Sequence, residues 1–217
     1  MTRSSSMLLV CLLFVAAVTA GCVGAQQTTP DKVVSAGGLT PNVKDKDAGL
    51  VAVAPGFDIK KYKTIAVTQL PVTDKMDDDG DRRFAAEMSA FFQAELVRHL
   101  RGSGLFVKVV NTGESAFQPG SEPALKVEGA ITRLGRGSQA VRYLVGFGAG
   151  AARAQADMQF VEVPSGKVVI VTADRRKADA GAFGGSDREH LRESFDDMAR
   201  DLAKFLVRLS KGEAPNE

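Results

Sequence analysis

The hydrophobic and polar positions divide the chain into segments of different period. Met7 to Val18 is an unbroken apolar run with no polar face, preceded by Arg3 and followed by the small residues Thr19, Ala20 and Gly21. A bilayer-spanning helix needs about 20 such residues, so the run is too short to cross and reads as a secretory signal, residues 1–21, that is removed. Further on, Lys63 to Gln69 is rich in β-branched residues and predicts a strand. From Arg83 to Leu100 the period changes to helical, with Phe84, Met88, Phe91, Phe92, Leu96 and Leu100 on one stripe. Asp77, Asp78, Asp79 and Asp81 precede the positive end of that helix, Arg98 and Arg101 close it, and Gly102 stops it. Leu105 to Val110 predicts a second strand, so strand, helix and strand form a right-handed crossover with the two strands parallel.

After residue 123 the pattern becomes consecutive strands, Leu125–Leu134, Ala140–Val145, Ala154–Val163 and Lys167–Ala173. Gly135-Arg136-Gly137 and Pro164-Ser165-Gly166 supply turn chemistry at two of the joints. The last element, Asp187 to Leu209, places Leu191, Phe195, Met198, Leu202, Phe205 and Leu209 at spacings of four and three, one apolar stripe suited to covering a sheet. Ser186 and Glu189 have the spacing of a capping box. The expected fold is α/β of the α+β type: two layers, a mixed and mainly antiparallel sheet, and two main helices.

Residues 22–50 lack a sustained period and are rich in Gly, Pro, Thr and alternating charge, which predicts a mobile tether. The single folded domain is then expected over residues 51–211, with a disordered tail at 212–217. Composition adds a bound: 28 basic against 26 acidic residues give a net charge of +2, too small a basic excess for a dedicated nucleic-acid binder.

Of the two cysteines, Cys11 leaves with the signal and Cys22 has no disulfide partner. Ala20-Gly21-Cys22 resembles the lipobox of bacterial lipoproteins, although Thr19 stands where Leu is usual. The resemblance implies a diacylglycerol on the Cys22 thiol and an acyl chain, such as palmitate, on the new amino terminus. Val23 rather than Asp follows the cysteine, which by the same resemblance directs the protein to the outer membrane, facing the periplasm.

Candidate chemistry is sparse. Gly146-Phe147-Gly148-Ala149-Gly150 lacks the crossover helix of a dinucleotide loop, and Ser165-Gly166-Lys167 lacks the earlier glycine of a P-loop. Asp77, Asp79 and Asp81 alternate around Gly80, but a calcium loop would begin at Lys75 and end at Ala86. His99 and His190 stand in no catalytic pattern. No catalytic residue, metal site, cofactor or small-molecule substrate is therefore expected. Arg133, Arg136, Arg142, Arg153, Arg175, Arg176 and Lys177 cluster in the hairpin region and suggest a basic face, interleaved with Asp157, Glu162, Asp174 and Asp179.

The stretch GFGAGAARAQADMQFVEVPSGKVV from Gly146, then GAFGGS and DMARDLAKFL, with FDIKKYKTIAV earlier, resembles the bacterial lipoprotein family called domain of unknown function 4410. That family implies no catalytic residues. More distantly, the order of elements is similar to curli-secretion lipoproteins and penicillin-binding-protein activators, a likeness of fold alone. The expected role is a non-enzymatic accessory module of an envelope complex, held to the membrane by its lipid and bound to an envelope protein. The alternative is a ring-forming secretion-channel subunit, and oligomeric state stays open.

Overall fold

A computed structural model describes residues 25–118, 120, 122–136, 151–178 and 186–216. The signal segment, Cys22, Arg142, the expected strand at 140–145 and Gly146–Gly150 lie outside the described residues. Among the described residues eight strands form one sheet: β1 Gln26–Thr28, β2 Val43–Asp45, β3 Gly49–Val53, β4 Thr64–Val67, β5 Lys108–Asn111, β6 Ala124–Gly135, β7 Ala152–Val163 and β8 Val168–Ala178. The two α-helices of the described residues, α1 Asp79–Gly102 and α2 Asp187–Ser210, form the layer above it. The sheet order is β2-β3-β8-β7-β6-β4-β5, with β1 also on β8. β4 pairs parallel with both β5 and β6, and the remaining pairs are antiparallel. The α+β class, the parallel first pair and both helices match the periodicities that predicted them.

Both helices lie on one face of the sheet. The α2 stripe is buried as expected, with Phe195 fully enclosed and its ring 4.9 Å from that of Phe92 on α1. Their sheet-side partners come from alternate positions of the long strands: Leu125, Val127 and Ile131 on β6, Ala154, Ala156, Met158 and Phe160 on β7, and Ile170 on β8. This is the period of two expected of a pleated surface. Asp78 caps α1 by accepting from the Asp81 N–H, and Ser186 and Glu189 make the reciprocal capping box at α2.

The opposite face is covered by the segment expected to be a tether, and that expectation is corrected for residues 25–50. Gln26–Thr28 pair with Arg175–Lys177, while β3 pairs with Ile170–Ala173, so β1 and β3 share the outer edge of β8. Residues 29–40 then cross the sheet face. Arg175 donates to the Thr29 carbonyl and to Asp31 at 3.0 and 2.6 Å. The Gln155 amide accepts from the Asp31 N–H and donates to the Lys32 carbonyl. Ala36 and Leu39 close a turn through Gly37 and Gly38, both at positive φ, and a side chain at Gly37 would meet Val168 at 2.5 Å. Main-chain pairing and buried amides need no apolar periodicity, so a segment poor in hydrophobic residues can still be fixed. The tail expectation is corrected in the same way: Asn216 accepts from the Lys46 N–H and donates its own N–H to Asp45.

Candidate functional site

The helix layer gathers charged side chains around a cavity. A groove of about 720 Å³ opens between the C-terminal part of α1 and the second half of α2, closed at one side by the β2–β3 turn. It is lined by Arg98 and His99 from α1 and Ser103 just past its end, by Arg200, Lys204 and Arg208 from α2, and by Lys46 and Asp47 from the turn. The cations of α2 are tied to carboxylates of the same helix or of the β2–β3 turn. Arg200 meets Asp197 at 2.5 Å, Lys204 meets Asp201 at 2.8 Å, and Arg208 holds Asp45 with two contacts of 2.7 and 2.8 Å and Asp47 at 2.8 Å.

At one end of the groove Glu95 and His99, one helical turn apart, face Asp196 of α2. His99 Nε2 lies 2.7 Å from Asp196 Oδ1 and 3.9 Å from Glu95. Imidazole and two carboxylates are a donor set suited to a divalent cation. The Arg98 guanidinium, however, already contacts Glu95, Asp196 and His99. The cluster thus has its cation from within the chain and acts as a polar weld between α1 and α2. Burial pushes the Asp196 carboxyl up, but the His99 hydrogen bond and the charges of His99 and Arg98 outweigh it and hold the group below its ordinary value.

Beneath the groove lies a buried network. Arg176, only 5% exposed, donates to both oxygens of Asp174, to Asp201 at 3.1 Å and to the Asp47 carbonyl at 3.1 Å. Burial pushes the Asp174 carboxyl up against the opposing pull of Arg176. Asp45, fully enclosed, accepts from the Asp47, Ala48 and Asn216 N–H groups as well as from Arg208. Burial raises the Asp45 carboxyl, yet these hydrogen bonds, Arg208 foremost, leave it below the ordinary range. The network joins β8, α2, the β2–β3 turn and the C-terminal residues.

The expected basic face is only partly assembled. Arg176 points into the helix layer instead, a correction that follows from alternation along β8, where Arg175 and Lys177 take the other side. Arg175 is engaged by Asp31, Arg133 lies 3.9 Å from Asp74, and Arg136 lies 3.4 Å from Asp81 and stacks over the Phe84 ring. Asp77 pairs with Lys75, Asp79 with Arg82, and Asp78 is a cap, so the acidic run serves the start of α1. Ser165 and Gly166 form the expected turn between β7 and β8. His190 Nδ1 is 4.0 Å from Glu193.

Sequence reasoning missed the groove because its residues are polar positions of two helices and a turn distant in sequence. A helical projection of α1 and α2 does place Glu95 beside His99 and Asp197 beside Asp201, which is the one signal available. A second cavity, of about 490 Å³, lies past the carboxyl ends of β4 and β5 near Phe117, Lys126 and Pro164. The hydroxyls there, Thr68 and Thr112, donate to the Val127 and Val67 carbonyls.

The family model for the domain of unknown function DUF4410 matches residues 61–182, more than half of the chain. The chain belongs to the DUF4410 family. Residues 25–60, which supply β1, β2 and β3, and all of α2 lie outside the DUF4410 match. No curated protein matches the chain. Among solved structures, it is similar to the PelC dodecamer from Paraburkholderia phytofirmans, with 12% identity over 70% of this chain and 94% of that one, TM-score 0.44. It is also similar to protein XCC0632 from Xanthomonas campestris, of the DUF330 family, with 9% identity over 74% and 92%, TM-score 0.45.

Proposed function

We propose that this DUF4410 protein is a lipid-anchored, non-enzymatic accessory module of the cell envelope, attached through Cys22 to the outer membrane and facing the periplasm. The carrying observation is Ala20-Gly21-Cys22 directly after an uninterrupted apolar run, with Cys22 as the sole cysteine left once that run is removed. Two or more acyl chains give stable anchoring, each buried methylene contributing about 0.8 kcal/mol. Among the described residues no helix is long and apolar enough to cross a membrane, so the lipid would carry the attachment of the described part.

Action by contact is supported by how the reactive side chains are employed. His99 is bound to Asp196 and Arg98, and the Ser103 hydroxyl donates to the Leu100 carbonyl while accepting from the Leu105 N–H. The partner surface on this reading is the groove between α1 and α2, whose rim offers Arg98, Arg200 and Lys204, each between 41 and 57% exposed. An envelope protein presenting carboxylates fits that rim, since rim charges govern encounter and orientation.

Cys22→Ala tests the anchor: the variant should leave the membrane fraction, and mass spectrometry of the parent should find an acylated amino terminus. An unmodified terminus would end the lipoprotein reading. For the mode of action, His190→Ala should leave the cellular phenotype in place, while photo-crosslinking from position 204 in intact cells should capture one discrete envelope protein. Loss of phenotype in a folded His190→Ala variant would argue for chemistry at that histidine.

A further inference from the structure

The docking of β1 changes how far the domain can stand from its anchor. Had residues 22–50 been a flexible tether, the domain could sample any orientation at some distance from the bilayer. Instead the chain is fixed from Ala25 onward. Ala25 is buried, Gln26–Thr28 are paired to β8, and the next residues are held by Arg175 and Gln155. The Gln27 side-chain amide adds contacts to the Asp45 carbonyl and the Gly49 N–H at 3.2 and 2.9 Å. Only three residue steps separate Cys22 from Ala25, a reach of at most about 11 Å even when fully extended.

The direction of approach is fixed as well. β1 runs antiparallel to β8, so the chain enters the sheet at the row where Gly135 of β6, Arg153 of β7, Lys177 of β8 and Gln26 of β1 stand side by side. This row is one end of the long hairpin strands. Their other end, the Pro164-Ser165-Gly166 turn, is about 33 Å away from Arg153 by strand rise over ten residues. The same near end carries Arg136, whose side chain is 45% exposed and lies against Asp81 at the start of α1.

From this we infer that the end of the sheet marked by the row Gly135–Arg153–Lys177–Gln26 is turned toward the phospholipid headgroup layer, by a tether too short to let the domain turn over. The inference rests on Cys22 being the lipid attachment point, as proposed above. Its partner is the headgroup layer itself, and the partly exposed Arg136 and Arg153 stand at that end of the sheet. The opposite turn at Ser165 then points away from the bilayer.

The test uses the full-length acylated protein in vesicles of phosphatidylethanolamine and phosphatidylglycerol that include a headgroup-nitroxide lipid. A fluorophore is attached through Arg153→Cys or, separately, Ser165→Cys; the acylated Cys22 does not react. Quenching should be at least threefold stronger at position 153 than at position 165. Inserting twenty Gly/Ser residues between Cys22 and Ala25 should bring the two positions to similar quenching while the protein still floats with the vesicles. Equal quenching at both positions before the insertion overturns the inference, as does an asymmetry that the insertion leaves intact, since something other than tether length would then orient the domain. Failure to float, with an unmodified Cys22 by mass spectrometry, identifies a different failure: the anchor reading itself falls, and this inference with it.

Discussion

The two faces of the sheet are covered by different means. The helix face is sealed by large apolar side chains at regular spacing, Phe92, Leu96, Leu191, Phe195, Met198 and Leu202, all essentially inaccessible to solvent. The opposite face is covered by residues 29–40, fixed chiefly by hydrogen bonds to Gln155 and Arg175 and by the close approach of Gly37 to Val168. Apolar burial is non-directional and scales with area, so the first face stabilises the whole domain. A few hydrogen bonds, each with a net contribution of about 1 kcal/mol, hold the second face in place without adding a second core. One face should fail globally and the other locally.

Substitutions can break this contrast. Phe195→Ala removes a fully enclosed ring and should cost about 3 to 5 kcal/mol, read as a lowered urea midpoint for the entire transition. Arg176→Ala tests the polar exception on the same face, because it leaves Asp174 buried without its cation; the expected loss is also about 3 to 5 kcal/mol. An unchanged midpoint for either would mean that the helix layer does not carry the stability.

Gln155→Ala attacks the other face. It strips partners from the Asp31 N–H and the Lys32 carbonyl, with an expected cost of about 1 to 3 kcal/mol. Amide hydrogen exchange should accelerate in residues 29–40 and stay unchanged in α2. Equal acceleration in both would erase the distinction between local and global failure.

Asp157, on the same face as Gln155, sharpens it through pH. Burial pushes its carboxyl up, against hydrogen bonds from Thr132, Gln155 and the Val34 N–H. The native state therefore holds this proton more firmly than the unfolded chain. The associated stability is full below the ordinary carboxylate value of about 3.9 and declines as pH rises through the higher native value. Asp157→Asn should remove that slope, measured as denaturation midpoint against pH; a slope identical to the parent would place it on another group. The smallest expected effect is Ser186→Ala, about 1 kcal/mol from the lost cap of α2.

The same contrast explains what could be read in advance. Both helices, the parallel pair β4 and β5 and the Ser186–Glu189 cap follow from spacing alone, because they belong to the face built on apolar periodicity. β8 was expected to end at Ala173 and continues to Ala178. The strand signal stops where Asp174 and Arg176 take inward positions, and a charged residue reads as a boundary unless its buried partner is known. Residues 25–50 read as tether because nothing in their composition records the amides and main-chain groups awaiting them on β7 and β8. In the groove, His99 and the carboxylates of α2 were visible one by one, but their meeting depends on the packing angle of two helices.

The outer edge of β8, divided between β3 and β1, has a practical side. A shortened chain starting at Val51, where the apolar pattern suggests the domain begins, would lack β1, β2 and the first residues of β3. The main-chain donors and acceptors of Arg175–Lys177 that pair with β1 would then lie bare along an 11-residue strand. Bare edges of that kind template pairing with another copy, so such a truncation invites aggregation rather than yielding a smaller soluble domain. In the intact protein the amino-terminal residues act as a built-in guard for that edge.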